Sequence, residues 1–244
     1  MAKHDSPVPL YVQIKDYIRL NIQSGAFAVN ERIPSERQLA EQFGVNRLTV
    51  SKALKELSQE GFIYSQVGKG TYVCPAKIDQ VLQSLTSFTQ DMTGRGKNAS
   101  SRVLCATVEP ASKEIAKALS ILPGAEVVIL ERVQLADDQL IALEKSHIIY
   151  ALCPGILKTH DFSRESLYHV LREDYGLHIA YAHQTIEAHT ASEDELAALE
   201  ADPGTPILSI TRVTFDNDDQ PIEYVRSSYR GDRYKFYTVL RHAE

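Results

Sequence analysis

The chain of 244 residues has no tryptophan, two methionines and three cysteines. Cys74, Cys105 and Cys153 are odd in number and far apart, with no metal or redox spacing. That excludes a disulfide scaffold and fits a reducing compartment, so a cytoplasmic location is expected. No apolar run approaches bilayer length, and the opening "MAKHDSPVPL" lacks the apolar core of a secretory leader. No membrane role is expected. Also missing are a phosphate-cradling glycine loop of the Walker type, a nucleophile elbow and any metal-ligand spacing. His178, His183 and His189 fall at uneven parity on one expected strand, which argues against a metal triad. No cofactor, metal or catalytic residue is expected.

Hydrophobic residues make up 43% of the chain, enough for real cores in one large or two modest domains. Charge is unevenly placed. Residues 1–75 hold nine Lys/Arg against seven Asp/Glu, whereas the remainder holds 17 against 25. The sign changes near "VCPAKIDQ", which suggests a basic nucleic-acid reader joined to an acidic body. The expected division is a DNA-binding domain over 1–74, a linker over 75–84 and a second domain over 85–244.

In the first stretch, Leu10, Ile14, Tyr17, Ile18 and Ile22 form one helical stripe, closed by Gly25. Ser35 with Gln38 three residues on predicts a capping box, before a helix ending at Gly44. Asn46 then caps a helix whose inner face is Val50, Ala53, Leu54 and Leu57. Two short helices across the turn "FGVN" are what a helix-turn-helix requires. "FIYSQV", "GKG" and "TYV" predict a hairpin, the wing of a winged helix. Arg47, Thr49, Ser51 and Lys52 cluster in the first turns of the second helix, the part that enters the major groove. Arg bonds bidentately to guanine and Thr reaches a base edge or phosphate. Arg37 can reach the same groove edge, and Lys69, between Gly68 and Gly70, can approach the backbone or minor groove. Any one of these alone reads as a solvated charge; their order makes the case.

The run "IPSERQLAEQFGVNRLTVSKALKELSQEGFIYSQVGKGTYV" resembles the winged-helix head of GntR-type bacterial transcription regulators. The resemblance implies double-stranded operator DNA as partner, with Ser35, Arg37, Asn46, Arg47, Thr49, Ser51, Lys52, Gly68, Lys69 and Gly70 at the interface. Many relatives carry Arg where this chain has Ser51, and a polar uncharged residue at Lys52.

The body contains a repeat. "ASKEIAKALSILPGAEVVILERVQL" (111–135) aligns without gaps on "ASEDELAALEADPGTPILSITRVTF" (191–215), with 8 identities in 25 positions. Both copies run on to a "DDQ" turn and a further strand. Each unit reads as strand, Ser-capped helix, Pro-Gly turn, strand, hairpin, strand. Two of them predict an α+β domain with a mostly antiparallel sheet, a pseudo-twofold and a ligand cleft at the seam. A three-residue loop in the first hairpin sets Arg132 opposite Glu144 and Gln134 opposite Ala142. Glu223, Val225, Ser227 and Tyr229 share one strand face. "FSRESLYHVLREDYG" predicts a helix opening with Ser166 and Tyr168, and "LTSFTQDM" supplies the hydroxyls of Ser87 and Thr89. Hydroxyls and backbone N–H groups beside an Arg suit an anion.

"LTSFTQDM", "ERVQLADDQ", "ALEKSHI", "SLY" and "IEYVRSSYRGDRYKF" resemble the UTRA effector domain of the HutC subfamily, a chorismate-lyase-like fold. Within it, the likeness is to amino-sugar regulators of the NagR and DasR type. The resemblance implies a homodimeric repressor with a sugar-phosphate pocket, for an effector such as N-acetylglucosamine-6-phosphate or glucosamine-6-phosphate. Ser87, Phe88, Thr89, Arg132, Ser166 and Tyr168 would hold the phosphate; Glu144, Glu223 and Tyr229 would meet the sugar. At Gln134 those relatives carry Arg. Other members of the subfamily sense other phosphosugars, phosphonates, fatty acids or histidine-pathway intermediates, and a chorismate-lyase-like enzyme is the rival class. The triplet Arg230-Gly231-Asp232 matches an adhesion motif, but structural ion pairs are expected there instead.

Overall fold

The computed structural model describes residues 8–66, 68–74, 77–82 and 84–240. The chain divides between Lys77 and Ile78 into two compact units. No helix among the described residues is long and apolar enough to cross a membrane.

The first unit holds α1 (Leu10–Gln23), α2 (Glu36–Phe43), α3 (Arg47–Gln59), and a hairpin of β1 (Ile63–Gln66) and β2 (Gly70–Val73). Ile14 and Ile18 of α1 are fully buried in one cluster with Leu39, Val50, Ala53 and Leu57. At about 1.5–3 kcal/mol for each large apolar side chain removed from water, that cluster holds the three helices together. The capping box forms as expected. Ser35 accepts from the Gln38 backbone N–H, and the Gln38 side chain accepts from that of Ser35. Gly44 ends α2 in the left-handed region at φ 65°, and the Asn46 side chain caps α3. Gly70 opens β2 at φ 121°, where a Cβ would lie 2.5 Å from the Arg32 Nε. Only glycine fits there.

The second unit is built on six antiparallel strands: β4 (Ala99–Pro110), β5 (Glu126–Ala136), β6 (Gln139–Ile149), β7 (Ile179–Thr190), β8 (Pro206–Asp216) and β9 (Pro221–Arg230). Their order across the sheet is β4-β5-β6-β9-β8-β7, so the two repeats meet at β6 and β9. The register there pairs Lys145 with Arg226, each the counterpart of the other in the repeat. A pseudo-twofold axis therefore passes through that pair. One sheet face is covered by α5 (Lys113–Ala118) and α8 (Glu193–Leu199), and the covering is crossed. Ile115 and Ala116 of α5 pack with Tyr224 of β9, while Leu199 of α8 packs with Leu140 of β6. Each half thus closes its partner's core. The opposite face carries α4 (Phe88–Thr93), α6 (Ile156–Thr159) and α7 (Leu167–Glu173).

Two features depart from the sequence reading. The first hairpin does not use a three-residue loop. Ala136 pairs with Gln139 around a two-residue turn at Asp137-Asp138, both at positive φ, and a bulge between Gln134 and Leu135 restores the expected register. Arg132 still stands opposite Glu144 and Gln134 opposite Ala142. The stretch 75–84, read as linker, is not all linker. Residues 75, 76 and 83 lie outside the described residues, but Ile78–Val81 form β3, paired in parallel with β10 (Tyr234–Tyr237). A pairing between strands so distant in sequence leaves no local signal.

Candidate effector cavity and nucleic-acid interface

On the first unit, Arg47, Ser51 and Lys52 are exposed at the start of α3, and Thr49 is half-buried beside them. Asn46 is committed to the helix end, where its Oδ1 accepts from the Leu48 N–H at 3.0 Å. Ser35 is likewise committed to α2. Lys52 folds back so that its Nζ stands 3.8 Å from the Tyr11 ring centroid. Arg37 is exposed and pairs with Glu41 one turn on, at 3.3 Å. Lys69 is exposed at the wing tip, flanked by Gly68 and Gly70. Basic and hydroxyl side chains therefore converge on one end of α3, with a further cation on the wing.

On the second unit, a cavity lies on the sheet face beneath α4 and α7, at the seam between the halves. All ten side chains expected to meet an effector line it. From α4 and its cap come Ser87, Phe88 and Thr89; from α7 and its cap, Ser166 and Tyr168. The sheet contributes Arg132 and Gln134 from β5, Glu144 from β6, and Glu223 and Tyr229 from β9. The two cap hydroxyls touch, with Ser166 Oγ donating to Ser87 Oγ at 3.4 Å. Ser166 makes no side-chain bond to its own helix, so its hydroxyl is turned to the cavity. Arg132 Nη2 and Gln134 Nε2 both donate to Glu144 Oε1, at 2.6 and 3.0 Å. Tyr168 donates to Glu223 Oε2 at 2.8 Å. The free volume is about 40 Å³.

Residues 94–235 match the UTRA domain, and residues 10–73 match the family described as bacterial regulatory proteins, gntR family. The chain belongs to the GntR family. Its UTRA body places it in the HutC subfamily. The chain is 36% identical to the HTH-type transcriptional repressor NagR of Bacillus subtilis, over 95% of this chain and 94% of that protein. It is 29% identical to the histidine utilization repressor of Pseudomonas putida, over 95% and 92%. The crystal structure of PhnF from Mycobacterium smegmatis superposes with a TM-score of 0.67 at 32% identity, covering 97% of this chain and all of that one.

This GntR-family regulator binds DNA through its winged helix, and its UTRA cavity holds residues that the sequence reading missed. Arg212 lines the cavity from β8. The signal was available, because the repeat alignment sets Arg212 on Arg132. Unlike Arg132, it has no carboxylate within ion-pairing distance among the described residues; its Nε and Nη2 donate to Gln184 Oε1 at 3.1 and 2.9 Å. Gln80 and Tyr234 arrive through the β3–β10 pairing, and the Tyr234 hydroxyl donates to Gln80 Oε1 at 2.9 Å. The Tyr234 ring stacks on Tyr229, with centroids 4.4 Å apart. Thr86, Leu167, Val225 and Ser227 complete the lining.

Burial sets the protonation states inside. It pushes the Tyr168 and Tyr229 hydroxyls well above the ordinary phenol range, so both remain donors at neutral pH. Glu223 is 2% exposed, and burial followed by the charge of Glu144 raises its pKa against the pull of Tyr168 and Arg212. The Arg-Gly-Asp triplet is used up internally. Arg230 forks onto Asp232 at 3.1 and 2.7 Å and reaches the Leu199 carbonyl, and the Gly231 N–H bonds the Pro206 carbonyl.

Proposed function

We propose that this regulator is a homodimeric repressor whose operator affinity is lowered by a phosphorylated amino sugar. The observation that carries the reading is the gathering of cations, helix-cap hydroxyls and carboxylates in one cavity. Two arginines with the Ser87 and Ser166 hydroxyls suit a phosphate, and Glu144, Glu223 and Tyr229 suit sugar hydroxyls and an amino or acetamido group. Gln134 adds no charge, and its amide is already engaged, donating to Glu144 and accepting from Ser101 at 2.7 Å. The anion therefore falls to Arg132 and Arg212. The similarity to the NagR repressor supports the same reading. Repression would take place in the cytoplasm, where operator DNA is reached.

A volume of about 40 Å³ holds one water or so, whereas small-molecule sites span about 300–1,000 Å³. A ligand of that size requires the cavity to open. Such a ligand has the differential affinity for two states that regulation requires. Gln80 gives the change a route outward, since it lies both in the cavity wall and on β3, directly after the connection to the winged helix.

A thermal-shift series tests the reading. N-acetylglucosamine-6-phosphate and glucosamine-6-phosphate are set beside their unphosphorylated forms. At about 100 times Kd a ligand adds about 2.7 kcal/mol of stability. The phosphorylated forms alone should raise Tm and release selected operator DNA. A shift from the unphosphorylated sugars of equal size overturns the phosphate assignment.

A further inference from the structure

Val50, Ala53, Leu54 and Leu57 define the buried face of α3. At about 100° per residue, the direction opposite that face in the first turn belongs to Leu48, with Arg47 and Thr49 on its flanks and Lys52 one turn on. Leu48 is 76% exposed, more than any other large hydrophobic described in the first unit. Its position is fixed, because the Asn46 side chain caps its own N–H. The apex of the recognition turn is therefore apolar, while its neighbours carry the polar chemistry.

An apolar tip pressed into the major groove strips water from base edges and returns no hydrogen bond. One group on those edges accepts such a contact without loss, the C5-methyl of thymine. We propose that Leu48 is a specificity residue that reads a thymine methyl in the operator half-site, between the bases or phosphates reached by Arg47 and Thr49.

Replacing thymine by deoxyuridine removes that methyl and leaves every hydrogen-bonding group of the base in place. The test uses the full chain and a duplex that it selects from a random library, with each thymine replaced in turn. One position per half-site should weaken wild-type binding about fourfold, the worth of one buried methyl. The Leu48→Ala variant should keep its Tm, since the side chain is exposed, and bind the thymine and deoxyuridine duplexes alike. The Leu48→Met variant, which keeps an apolar tip, should retain the discrimination. If no thymine shows methyl dependence with the wild type, or if Leu48→Ala keeps that dependence, the inference is wrong.

Discussion

Arg132 and Arg212 occupy matching places in the two halves of the UTRA unit, yet Arg132 meets Glu144 across β6 and Arg212 meets Val225 across β9. The second carboxylate, Glu223, stands opposite Thr214 instead. Duplication supplied the same backbone twice, and the side chains then broke the symmetry. One half offers a cation paired with a carboxylate, and the other a cation with no ion-pair partner among the described residues, bonded to the Gln184 amide. A twofold frame with unequal contents is what a ligand with two unlike ends needs.

The comparison is broken most directly by removing each arginine. Arg132→Ala leaves Glu144 in the cavity without its partner and should cost about 3 kcal/mol of stability. Arg212→Ala removes the bonds to Gln184 and breaks no ion pair, so it should cost less, about 1 kcal/mol. Urea denaturation measures both, and equal losses would erase the proposed asymmetry. Both variants should lose response to a phosphorylated effector.

Glu223→Gln should act on stability in the other direction. The folded carboxyl holds its proton to higher pH than the unfolded one, so wild-type stability falls as pH rises from the ordinary carboxylate value of 4.5 through the elevated folded value. The variant lacks that fall. Its Tm should exceed that of the wild type at pH 8 and converge with it in acid, while effector affinity drops. A Tm difference that does not vary with pH would contradict the elevated pKa.

The smallest effect compares the two helix caps. Ser192 forms a full capping box with Glu195, whereas Ser112 makes a single bond, at 3.3 Å, to Ile115. Ser192→Ala should cost about 1 kcal/mol and Ser112→Ala less. Burial alone would raise the pKa of Glu195, but hydrogen bonds from Ser228, Ser192 and His189 outweigh it and hold the group at about 2. Its stabilisation is present above pH 4.5 and is lost as pH falls toward 2. Glu195→Gln should flatten that acid limb in a pH-dependent melting series.

These contrasts show which parts of the molecule its residues announced. Ser35-Gln38, Gly44 and Asn46 are local signals, readable because a cap is satisfied within a few positions. The repeat placed the strands in order, and hairpin register brought Arg132 to Glu144 even though the turn and bulge beneath it were read as a longer loop. Arg212 lay in the same alignment and went unused, because its cross-strand neighbour, Val225, gave no matching charge. Gln80 and Tyr234 had no such signal, for they enter through two short strands joined only by tertiary pairing. The closed volume was beyond the sequence altogether, since it depends on how α4 and α7 settle on the sheet.

The crossed packing of α5 and α8 bears on how the UTRA unit reaches its structure. The β6–β9 pairing joins strands about half the unit's length apart, and the contacts of α5 with Tyr224 and of α8 with Leu140 form only with that pairing. Loop closure of this size comes before the contacts that reward it, which slows folding. The unit should therefore assemble late and in one cooperative step. A truncation after the first half would yield an unfolded chain rather than a half-sized domain.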